Sequence, residues 1–131
     1  MRKIKFGSVE IFGYIGIITW VTVNLLRGYA VSDHAVYVFL LGILPNLGAA
    51  WGMTMFGKWG VVFILKKKIT FKIHLCLCAG VFALALLSEI IHHLYLNSPF
   101  DIYDIIITAF AQIAIFTVPL FLKDEYFGNF R

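Results

Sequence analysis

Between Ser88 and Gln112 the chain reads SEIIHHLYLNSPFDIYDIIITAFAQ, and this stretch gathers acids and histidines inside an otherwise apolar sequence. Glu89, His92 and His93 are three and four residues apart, so on a helix they share one face. Asn97-Ser98-Pro99 breaks that helix, and Asp101 and Asp104 open the next, again on one face. Three chemistries fit. Glu89, His92 and Asp104 could hold a divalent metal, since Glu-x-x-His presents two ligands from one face, although no H-E-x-x-H signature is present. The acids could serve as general acid and base on a lipid-linked or sugar substrate. Or the residues could form a hydrogen-bonded network that locks helices together. Glu89 lies about two turns in from Pro99, where a carboxylate needs a partner or a proton.

The elements that position these residues follow from composition. Of 131 residues, 61% are hydrophobic and 14% charged, with a mean hydropathy of +0.90; soluble domains are nearer 25% charged. The expectation is an all-α, polytopic membrane protein with a single transmembrane domain over 1–131. Four apolar runs, at about 9–26, 34–56, 73–96 and 102–122, are each long enough to span. The basic residues Arg2, Lys3, Lys5, Lys58, Lys66, Lys67, Lys68, Lys72, Lys123 and Arg131 all fall on one side of such a four-helix antiparallel bundle, and Arg27 falls on the other. The excess of positive charge inside predicts both termini in the cytoplasm. It also accounts for the net charge of +4, so no nucleic-acid partner is implied. Asp33 and His34, which open the second run, then join Glu89, His92, His93, Asp101 and Asp104 in one outer-face polar cluster. Asp101, two residues after Pro99, suits an N-cap.

Elsewhere the residue types point to packing. Gly48 and Gly52 form G-x-x-x-G, a spacing that lets another helix approach closely and is expected to serve packing within the chain. Pro45 should kink or divide the second run. Cys76 and Cys78, two apart, point to different sides of a helix and read as small packing residues. Glu10 is expected at interface depth, in contact with solvent. The segment from Gly57 to Lys72 is read as the longest polar connection; within it, Trp59 to Leu65 either extends the second helix or lies along the interface. The lysine triplet fixes orientation and could attract anionic lipid. The first run exceeds a signal-peptide core and is read as a retained helix. Tyr126, Phe127 and Phe130 are expected at the interface.

On Glu89, Asp101 and Asp104, with the apolar run behind them, the sequence resembles the VanZ-like family of small bacterial membrane proteins. That family carries Glu-x-x-Gln at the end of one helix, then a turn with a basic residue, then Asp-x-x-Asp followed by Asn and small residues. Here His92 stands at the glutamine, Asn97 to Phe100 replace the basic turn, Thr108 stands near the asparagine and Ala111 near a glycine. Gly42 to Gly48 is loosely similar to the family's earlier Asn/Pro/Gly-containing helix. The resemblance implies a bacterial inner-membrane protein of the cell envelope, linked to antibiotic resistance, with an outer-face pocket for a lipid-linked or glycopeptide-type ligand. A non-catalytic subunit of a larger membrane complex, and more weakly a metal-dependent membrane enzyme, are the alternatives. Expected partners are the lipid bilayer, and either other membrane subunits or further copies of the chain. No cofactor is implied other than the divalent metal of the enzyme alternative.

Overall fold

The computed structural model describes residues 6–29 and 33–122. The basic N-terminus through Lys5 and the aromatic tail from Lys123 lie outside the described residues. Four helices follow in order: α1 (Ser8–Arg27), α2 (Ala35–Phe63), α3 (Phe71–Tyr95) and α4 (Ile102–Phe121). All four are long and apolar enough to cross a membrane. Large apolar side chains such as Ile18, Leu25, Leu84, Phe110 and Ile113 stay uncovered by the protein. In lipid this costs little, because acyl chains are as apolar as leucine.

Of the two readings of Trp59 to Leu65, the structure shows the extension of the second helix, past the expected end of the apolar run. The second helix does not stop at residue 56 but runs on to Phe63, taking Lys58 and Trp59 with it. Every other end falls within two residues of the expected one. At 29 residues, α2 is about 44 Å long, beyond the ~30 Å of bilayer hydrocarbon. It is continuous through Pro45, so the proline does not divide it.

Local chemistry sets the ends. Thr70 caps α3 by accepting from the Ile73 N–H at 3.3 Å. Asp101 caps α4 by accepting from the Tyr103 N–H at 2.9 Å. Glu10, at the third position of α1, accepts from the Gly7 N–H at 2.9 Å, which settles one of the four N–H groups that a helix start leaves open. Beyond α2 and α3 the chain turns through left-handed residues, Lys66 (φ 52°) and Asn97 (φ 50°).

Close packing comes from α1 against α2. A Cβ on Gly16 would lie 2.6 Å from the Gly48 carbonyl oxygen, and one on Gly48 would lie 2.5 Å from the Gly16 oxygen. The two backbones touch there, as small residues permit. Gly52 is less critical, since its Cβ would meet only Ile17 at 3.5 Å. Helix α2 also packs on α4: Trp51 Nε1 donates to the Ala111 carbonyl at 2.9 Å, and Gln112 Nε2 to the Ala50 carbonyl at 3.2 Å. Because Gln112 already supplies Ala50, the single hydroxyl hydrogen of Thr54 is well placed for Gln112 Oε1, 3.1 Å away. Val9, Cys78 and Ile115 form one buried apolar cluster, and Ala50, Val81 and Ala111 another.

Candidate functional site

Each proline inside a helix creates a polar problem that a neighbouring helix solves. Proline has no N–H, so the carbonyl four residues earlier loses its helical donor, and apolar surroundings offer no water to replace it. Pro45 frees Leu41. Arg27, at the end of α1, donates to the Leu41 oxygen through Nε at 2.9 Å and Nη2 at 2.6 Å, and to the Gly42 oxygen at 3.3 Å. Pro119 frees Ile115. His74 Nε2, from α3, lies 3.1 Å from the Ile115 oxygen. A carbonyl only accepts, so Nε2 carries the hydrogen. The imidazole is fully buried and stacks on Phe116, 5.7 Å between centroids.

Around these two repairs lie two polar clusters, one near each end of the bundle. At the end carrying the 92–101 hairpin, Glu89 Oε1 accepts from the Asp101 backbone N–H at 2.8 Å, tying α3 to the start of α4. The Asn46 side chain, next to Pro45, hydrogen-bonds the Asp104 carboxylate, and Asp101, Glu89 and Arg27 are close enough to act on it electrostatically. Residues from all four helices thus contribute to the electrostatics at Asp104. Asp104 is partly covered and Asp101 exposed.

At the other end, Lys58 Nζ meets Glu10 Oε1 at 2.5 Å, with both side chains about 1% exposed. His74 is near enough to feel the Lys58 charge. Glu10 is therefore not in contact with solvent as expected, and Lys58 is not a loop residue. The reason is mutual: a lysine late in α2 can enter the bundle because a carboxylate early in α1 meets it, and burial without that partner would be costly.

The residues that the sequence groups into one polar cluster are placed as follows. Glu89, Asp101 and Asp104 come together. His93 turns to the loop, with Nδ1 3.0 Å from the Ser98 carbonyl and its ring edge-on to Phe100. His92 is exposed on α3, and Asp33 and His34 are exposed ahead of α2. Among the described residues, no group of three or more His, Cys, Asp or Glu is placed to hold a metal ion, so Glu89, His92 and Asp104 do not assemble as ligands. Arg27 and Asn46 were missed by sequence reasoning, as were Glu10, Lys58 and His74. The available signal for Arg27 and His74 was the pair of in-helix prolines, each of which demands a donor from elsewhere.

Comparison with protein-family models, with curated protein sequences and with solved structures finds no match to this chain. What the hairpin cluster offers chemically is a concentration of acceptors. Three carboxylates and an amide oxygen suit a ligand rich in hydroxyl or ammonium groups.

Proposed function

We propose that the chain is a VanZ-like protein of the bacterial cytoplasmic membrane, an antiparallel bundle with both termini inside. Its hairpin end binds the hydroxyl- or amine-rich head of an envelope amphiphile, of the lipid-linked sugar or glycopeptide kind. The observation that carries this reading is the Glu89 contact with the Asp101 backbone, which sets Glu89, Asp101 and Asp104 at one helix junction, with Asp101 exposed. Ionisable groups kept at the edge of a membrane bundle usually serve a ligand or a pathway. The test is native mass spectrometry of the protein purified in mild detergent. Wild type is expected to retain an extra, lipid-sized mass, and Glu89→Gln and Asp104→Asn are expected to lose it while remaining folded. Retention by both variants would remove the hairpin end from the function.

A second reading is an assembly subunit that binds through its helices. Two observations favour it. The carboxylates already have internal donors. Also, α3 leaves Cys76, Ala79, Gly80 and Ala83 exposed, with open space around Gly80, a small-residue face suited to another helix. A heavier species containing a second polypeptide in the same spectrum would favour it; a lone monomer would sink it.

A further inference from the structure

A groove of about 300 Å³ opens where α2 ends and α3 begins. Val61, Leu65, Cys76 and Leu77 make its walls, and Lys67 and Lys72 are its charged members. Its position follows from the turn. Lys66 is left-handed (φ 52°), and the Lys67 N–H bonds back to the Val61 carbonyl at 3.1 Å, which brings residue 67 beside the last turns of α2. Lys72 sits in the first turn of α3, where the helix dipole adds positive potential. No Asp or Glu occurs between Asp33 and Glu89, and Glu10, the acid at this end of α1, is committed to Lys58.

We propose that this groove is a binding site for an acidic phospholipid, whose phosphate meets Lys67, Lys72 and the start of α3 while an acyl chain lies along Val61, Leu65 and Leu77. Apolar walls alone would take any lipid. Two lysines with no acid near them among the described residues select for net negative charge, each contributing when held close to the headgroup. The inference is independent of the ligand assigned to the hairpin end, which lies at the opposite end of the bundle.

The test is native mass spectrometry of the full chain released from nanodiscs containing phosphatidylglycerol and phosphatidylcholine in equal amounts. Wild type is expected to retain phosphatidylglycerol over phosphatidylcholine by about tenfold. The Lys67→Gln/Lys72→Gln protein should lose that preference. Lys66→Gln/Lys68→Gln removes the same charge from the same turn but not from the groove, and should keep it. Equal loss in both double variants, or no preference in wild type, would overturn the proposal. Cys76→Phe fills the groove from its wall and should lower retention of both lipids. Glycerol 3-phosphate in excess should fail to displace the bound lipid. Displacement by it would make the site one for a free anion and would also overturn the proposal. Circular dichroism and gel filtration confirm folding of each variant, and the glycerol 3-phosphate competition uses wild type alone.

Discussion

Glu10 and Lys58 are each about 1% exposed and meet in a closed pair, whereas Glu89 and Asp104 are only partly covered and Asp101 is exposed. The same residue types are thus treated oppositely at the two ends of one bundle. At the lysine end, charge is neutralised inside the protein, and His74 from α3 completes the backbone of α4. At the hairpin end, three carboxylates are kept close together with one arginine already engaged by backbone carbonyls. A closed pair suits holding helices in place. A crowd of incompletely neutralised acceptors at an edge suits binding.

The largest effect is expected from breaking the closed pair. Lys58→Met should destabilise the protein by about 3–5 kcal/mol, because it leaves a buried carboxylate without its cation. Adding Glu10→Leu to it should restore most of that loss. Reversible unfolding in mixed micelles would measure both; a single-variant cost below ~1 kcal/mol would mean that the pair is not closed at all. Next comes the contact that holds α1 on α2. Gly48→Ala should cost about 1–3 kcal/mol, since the added carbon would lie 2.5 Å from the Gly16 carbonyl oxygen, a backbone atom that cannot easily give way. Gly60→Ala, with open space around it, should be neutral or gain up to about 1 kcal/mol of helix propensity.

The proline repairs give the third effect. His74→Phe should cost about 1–3 kcal/mol by leaving the Ile115 carbonyl unsatisfied. In a Pro119→Ala background residue 119 regains an N–H for that carbonyl, so the same substitution should cost clearly less. Purely additive costs in this double-mutant cycle would dismiss the repair. The corresponding cycle of Arg27→Gln with Pro45→Ala should show coupling of the same sign but smaller, because Arg27 is exposed. The smallest stability effects belong to the hairpin end, where Glu89→Gln should cost about 1 kcal/mol or less.

Much of the fold could be read from sequence because each helix announces its own span and ends. Apolar run length, the Thr70 and Asp101 caps and the Asn97 turn are all local. What escaped depends on pairing at a distance. Lys58 looks like the end of a span unless Glu10 is known to meet it, and Glu10 looks wet for the same reason. His74 is a lone histidine in an apolar run until Pro119 is seen to have freed Ile115. At the hairpin, spacing correctly brought Glu89, Asp101 and Asp104 together, because a short turn forces two helix ends to be neighbours. Spacing could not exclude His92 and His93, since sharing a face with Glu89 does not say whether that face points inward at the last turns of α3. Nor could it find Arg27, drawn from α1 to the carbonyls that Pro45 leaves open, or Asn46, next to Pro45 on α2.

The division of labour between the ends is tested most directly by measuring stability and retained ligand mass on the same samples of wild type and Asp104→Asn, purified together in mild detergent. The expected result is a melting temperature within a few degrees of wild type and loss of the retained mass. An Asp104→Asn protein that keeps the mass, or that fails to fold, would contradict the assignment of binding to the hairpin end.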